Sequence, residues 1–190
     1  MFVALVPPTE ALEHLEAFLD VRRGAGDFRW VQADQVHATL AFLEEVSDRS
    51  LDDLLEGLER AAARRTPFET AVAGSGAFPD VARAKVLWTG LALDEPARAE
   101  LEALARGCRV AANRAGVEAD GARFRPHLTV ARTRFAHDVS DWVRLLDGYA
   151  GPPWRADEVT LLESHLGEGP RGRPRHVTVD TFPIGDHRHQ

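Results

Sequence analysis

His37-Ala38-Thr39-Leu40 and His127-Leu128-Thr129-Val130 decide how this chain is read. In an extended strand successive side chains alternate faces, so His37 and Thr39 point one way while Ala38 and Leu40 point the other. The second copy repeats the parity, with His127 and Thr129 on one face and Leu128 and Val130 on the other. Each apolar face is suited to packing under helices, which leaves each His/Thr pair for a cleft. An imidazole takes or gives a proton near neutrality, and a threonine hydroxyl donates to a phosphate oxygen. Two such pairs are a set of groups for holding and cleaving a phosphate ester.

A third copy, His176-Val177-Thr178-Val179, is weighed differently, because 8 histidines in 190 residues make a chance match unsurprising. The first two copies lie between helical segments and are ninety positions apart; the third follows an Arg/Gly/Pro loop with no helix after it. His176 is therefore expected to be a terminal-strand residue in ordinary strand packing.

Gln35-Val36-His37-Ala38-Thr39-Leu40-Ala41-Phe42-Leu43 and Phe124-Arg125-Pro126-His127-Leu128-Thr129-Val130-Ala131-Arg132 resemble the paired motifs of bacterial RNA 2',3'-cyclic phosphodiesterases. That family, first named 2'-5' RNA ligase, belongs to the two-histidine phosphoesterase superfamily. The resemblance extends to the opening Phe2-Val3-Ala4-Leu5, to Ala77-Phe78-Pro79 before Val86-Leu87-Trp88, and to Ser164 ahead of the late glycine loop. Ala38 stands where a larger aliphatic is usual and Glu44 where the family often has glycine. The resemblance implies an α+β fold of two similar, antiparallel-rich lobes related by a pseudo-two-fold, with helices outside and a central groove. It also implies His37 as proton donor and His127 as acceptor, with the bond to O3' broken to leave a 2'-phosphate.

Length and composition agree with a single two-lobed domain over residues 1–190, at 20.9 kDa. An apolar fraction of 44% with 28% charged residues is ordinary for a globular protein. No apolar run approaches the roughly 20 residues of a membrane helix, and the N-terminus lacks a signal-peptide pattern, so a cytoplasmic location is expected. One cysteine, Cys108, excludes an internal disulfide and any multi-Cys metal site. The net charge of −7 argues against a protein that coats nucleic acid. The charge is uneven, however: Arg123, Arg125, Arg132 and Arg134 form one acid-free cluster, and Arg171, Arg173 and Arg175 another. Basic patches beside a candidate site on an acidic body fit a small anionic substrate or an RNA end.

Phe2 to Val6 reads as a buried strand ended by Pro7-Pro8. Ala11, Leu12, Leu15, Phe18 and Leu19 share one helical face, giving a helix to about Arg23. On the first motif strand strict parity puts Phe42 with Ala38 and Leu40, in the core. Ser47 or Asp48 can cap a second helix with Leu51, Leu54, Leu55 and Leu58 on its stripe. Phe68 to Phe78 and Ala84 to Leu93 are strand-like; Gly74 and Gly76 suggest a bulge or a close backbone approach in the first. Asp94 as a cap and Pro96 in the first turn open a third helix, whose stripe includes Cys108 as a small core residue. A short helix around Trp142 to Leu146 follows the second motif strand. Val159 to Leu166 and His176 to Phe182 close the chain around the loop 167–175, with 186–190 as a frayed tail. Strand, helix, motif strand, helix, strand thus occurs twice, an internal duplication at about ninety residues.

Hydrolysis of a 2',3'-cyclic phosphate needs one group to deprotonate the attacking water and another to protonate the leaving ribose oxygen on the far side of phosphorus. His37 and His127 on opposite walls supply both, with Thr39 and Thr129 on the non-bridging oxygens. Strict parity puts Arg132 off the His127 face, whereas the resemblance favours it as a phosphate ligand. No cofactor or metal is expected, since neither a His-Glu-x-x-His motif nor an Asp-rich cluster is present. RNA ends or nucleoside 2',3'-cyclic phosphates are the expected substrates, for a monomer with no obligatory protein partner. The competing readings are another cyclic phosphate or a 2'-5' oligonucleotide as substrate, and a non-catalytic module binding RNA ends.

Overall fold

The computed structural model describes residues 1–120, 124–169 and 174–185. Arg123, Arg171, Arg173 and the expected tail 186–190 lie outside the described residues. The elements run β1 (Phe2–Leu5), α1 (Thr9–Asp20), β2 (Arg29–Trp30), β3 (Ala38–Phe42), α2 (Asp48–Ala63), β4 (Phe68–Phe78), β5 (Ala84–Ala92), α3 (Glu95–Arg114), β6 (Leu128–His137), α4 (Ser140–Asp147), β7 (Trp154–Ala156), β8 (Glu158–His165) and β9 (Arg175–Pro183).

The helices form where apolar residues recur at helical spacing, and each buries that stripe. Ala11, Leu15 and Leu19 of α1, Leu54, Leu58 and Ala62 of α2, and Leu101, Leu104, Cys108 and Ala112 of α3 are all buried. Asp94 caps α3 as expected, its carboxylate accepting from the Ala97 N–H at 2.8 Å, with Pro96 in the first turn. Ser47 occupies the N-cap position of α2, but its hydroxyl donates to the Ser50 hydroxyl at 3.1 Å and accepts from no helix N–H. No helix among the described residues is long and apolar enough to cross a membrane.

All strand pairings are antiparallel, and their order is β7-β4-β5-β6-β3-β1-β8-β9, with β2 added against β6. Read outward from the centre, each half has a motif strand (β3 or β6), then the strand that opens its run (β1 or β5), then two more. β3 and β6 meet at the single pair Ala38↔Leu128. The neighbours are not those of chain order. β4, the last strand of the first strand–helix–motif strand–helix–strand run, pairs with β5 of the second run, and β8 returns to pair with β1. The short link between Phe78 and Ala84 explains the first exchange, since consecutive antiparallel strands pair most readily with each other.

Both motif strands are bulged at the same place. On β3, Ala4 faces Thr39 and Val3 faces Ala41, so Leu40 has no partner of its own. On β6, Trp88 faces Thr129 and Leu87 faces Ala131, so Val130 is the extra residue. One extra residue shifts side-chain parity by one. Leu40 and Ala41 are therefore both buried, as are Val130 and Ala131, and the next residue of each strand turns to the other face.

A further bulge lies between Val72 and Ser75 on β4, around Gly74 at φ +77°. Gly76 meets the need for close approach, since a Cβ there would overlap the Trp88 indole. The expected result for Gly76→Ala is a loss of about 1–3 kcal/mol from overpacking, seen as a lower urea midpoint at unchanged slope. A midpoint equal to wild type would show that the indole moves aside freely.

Candidate active site

The pair Ala38↔Leu128 fixes the relation of the two motifs. Antiparallel register extended by one residue puts His37 opposite Thr129 and His127 opposite Thr39, all four on the face away from Leu40 and Val130. The two histidines are then diagonal neighbours, a separation of about 7–8 Å between backbones. His37, Thr39, His127, Thr129 and Arg132, the five residues singled out from the sequence, line one cavity of about 560 Å³.

Arg132 and Phe42 correct the parity argument. Both lie just past a bulge, and both face this groove instead of the core; Phe42 is 54% exposed. Arg132 makes no ion pair among the described residues, and its strand neighbour Arg29 adds a second guanidinium to the groove wall. The Thr39 and Thr129 hydroxyls likewise have no hydrogen-bond partner among the described residues.

Each motif histidine is held in one tautomer by the residue two positions earlier. His37 Nδ1 lies 2.7 Å from the Gln35 carbonyl oxygen, and His127 Nδ1 lies 2.7 Å from that of Arg125. A carbonyl can only accept, so each Nδ1 carries the proton and each Nε2 offers a free lone pair. Aromatic rings back both: Phe2 stacks on His37 at 4.7 Å, and Phe78 meets His127 edge-on at 4.8 Å, with Trp88 at 6.1 Å.

Burial in these aromatic settings favours the neutral imidazole. It lowers the His37 pKa from 6.5 to about 4, against the opposing backbone hydrogen bond and with smaller contributions from His176, His127 and Arg132. Burial also lowers His127, the hydrogen bond to the Arg125 carbonyl opposes it, and the Arg132 charge lowers it further.

His176 corrects a second expectation. It lies on β9 opposite Ser164 of β8, and both line the same groove. Its ring stands edge-on to His37 at 5.3 Å and to Phe2 at 5.0 Å. The β8–β9 hairpin returns beside β1, which no local pattern around residue 176 announces. Phe2, Phe78, Trp30 and Arg29 also went unassigned in the sequence; the resemblance at Phe2 and Phe78 was the available signal. Cys108 is buried in the core with its thiol pushed up to about 12, as expected of a packing residue.

Residues 4–88 and 91–171 match the family model described as LigT like Phosphoesterase. Among curated proteins the chain is 32% identical over 186 residues to an RNA 2',3'-cyclic phosphodiesterase of Geobacillus stearothermophilus, covering 96% of this chain and 56% of that one. It is 29% identical to the protein of the same name from Escherichia coli, covering 97% and 96% of the two chains. Among solved structures, E. coli LigT complexed with 3'-AMP superposes with a TM-score of 0.75 at 26% identity over 97% of both chains.

The lowered His37 pKa gives a pH prediction. Below pH 6.5 an unfolded His37 takes up a proton that the folded ring refuses until about pH 4. Stability present at neutral pH is therefore lost as pH falls through that window. Urea unfolding at pH 7 and at pH 4.5 should show a smaller drop for His37→Asn than for wild type. By NMR the His37 ring in the free protein should titrate near pH 4, and inorganic phosphate should move that titration upward; a free-protein value near 6.5 would contradict the buried setting.

Proposed function

Because the chain belongs to the LigT like phosphoesterase family, we propose that this phosphoesterase opens RNA 2',3'-cyclic phosphate ends to 2'-phosphomonoesters. The observation that carries the reading is the pair of Nδ1-anchored histidines facing one groove across the β3–β6 junction. Two imidazoles with free Nε2 atoms can touch oxygens on opposite sides of a single phosphorus.

The reaction balances on these groups. Water attacks phosphorus while His127 Nε2 takes its proton, the bond from phosphorus to O3' breaks, and His37 Nε2 gives its proton to O3'. Proton exchange with solvent then resets both rings. Thr39, Thr129, Arg132 and Arg29 surround the non-bridging oxygens with hydrogen-bond donors, which stabilise the charge that builds there.

The bound substrate favours uptake of the donor's proton from solvent. Both rings are neutral in the free site, and a phosphate anion entering beside them favours the imidazolium. Arg132 is the leading charge acting on His127 but the least of the influences on His37. Burial weighs more heavily on His37, whose pKa falls to about 4, so the donor role given to His37 is the one the resemblance implies. With an RNA 5'-hydroxyl in place of water, the same steps break the bond to O3' and join the ends through a 2'-5' linkage, as a minor ligase activity. Both motif strands come from one chain, so the reading needs no second subunit and no protein partner.

Incubation with adenosine 2',3'-cyclic phosphate should yield 2'-AMP, resolved from 3'-AMP by chromatography, with and without a metal chelator. His37→Ala and His127→Ala should each lose at least about 10²-fold in kcat, the scale of a lost acid or base. Formation of 3'-AMP would reverse the leaving-group assignment, and no turnover would leave a binding module as the better reading.

A further inference from the structure

His37 and His176 stand between two cavities. The rings line the reaction groove, of about 560 Å³, and both also line a second cavity of about 410 Å³ on their other side. Among the described residues neither ring nitrogen of His176 has a hydrogen-bond partner, whereas His37 and His127 each commit Nδ1 to a carbonyl. His176 is thus an imidazole with both nitrogens available, placed at a saddle between two open spaces.

The second cavity has the chemistry of a nucleoside site and not of a phosphate site. Among the described residues Asp34, Asp157 and Glu158 outnumber its one guanidinium, Arg155. Carboxylates repel a phosphate but accept from base N–H groups and ribose hydroxyls. Thr178 adds a hydroxyl, and the half-buried Trp154 offers a ring on which a base can stack. Burial lowers the His176 pKa; of the groups beside the ring, Asp34 opposes that shift and His37 stands edge-on to it.

We propose that the second cavity is a subsite for the nucleoside immediately upstream of the cyclic end of an oligoribonucleotide, with His176 hydrogen-bonding the phosphodiester that joins the two. The proposal rests on the cyclic phosphodiesterase reading. With His37 giving its proton to O3', the terminal ribose lies on the His37 side of phosphorus. Its C4', C5' and upstream phosphate then lead away over His37 toward His176 and the cavity beyond. The terminal base stays in the reaction groove, beside Phe42 and Trp30.

The test compares kcat/KM for adenosine 2',3'-cyclic phosphate with that for the dinucleotide ApA bearing the same cyclic end. Wild type should prefer the dinucleotide by about tenfold or more, the scale of one stacked and hydrogen-bonded base. His176→Phe keeps an aromatic edge against His37 and Phe2 but has no nitrogen, and its preference should fall to about one- to twofold on the same scale. Thr178→Val combined with Asp34→Asn, which alters only the second cavity, should reduce the preference without involving the His37 contact. Equal wild-type rates on both substrates, or an undiminished preference in both variants, would overturn the subsite while leaving the cyclic phosphodiesterase reading intact. Turnover of neither substrate would sink both.

Discussion

The site depends on one point of contact, the hydrogen-bonded meeting of β3 and β6 at Ala38 and Leu128. Each of these residues directly follows a motif histidine, so the pairing sets the two imidazoles diagonally across an antiparallel junction. Beyond it the strands part, and the separation opens the groove. A longer β3–β6 ladder would flatten the sheet and close the space a phosphate occupies. A missing one would leave the histidines on unrelated edges. Ala38 and Leu128 are fully buried, which ties the junction to the core.

The paired bulges complete what the junction begins. A regular strand offers the groove only alternate residues, and three successive useful positions per strand would run off its face. The extra residue at Leu40 and at Val130 lets two apolar side chains enter the core in sequence and then returns the chain to the groove face. The half built on β3 spends that position on Phe42, the half built on β6 on Arg132. One half thereby presents an apolar ring suited to a base, the other a cation suited to phosphate. The same strand geometry yields two different walls.

Burial gives the site its electrostatic character. Phe2, Phe78 and Trp88 surround the histidines and keep both neutral in the free protein, at a cost in acid stability that solvent-exposed imidazoles would not incur. A neutral pair does not repel itself, and the negative phosphate is then the group that calls a proton in. Nearby Arg132 adds a charge that lowers the His127 pKa further.

Much of this was legible in the amino-acid sequence because it is local. The helical stripes, the Asp94 cap, the bulge at Gly74 and the core role of Cys108 each follow from residues within a few turns of one another. So do the two His/Thr faces, since parity over three residues needs no knowledge of a partner strand. Phe42 and Arg132 were misplaced by the same parity because a bulge exists only relative to the neighbouring strand: β1 skips Leu40 and β5 skips Val130. His176 lies 139 positions from His37 and reaches it only because β8 leaves its own run to pair with β1. The sequence by itself determined which chemical groups the two motifs offer to the groove and on which short strands they ride. Tertiary structure alone decided which distant side chains join them, because strand exchange and register are settled by packing between segments that carry no local record of each other.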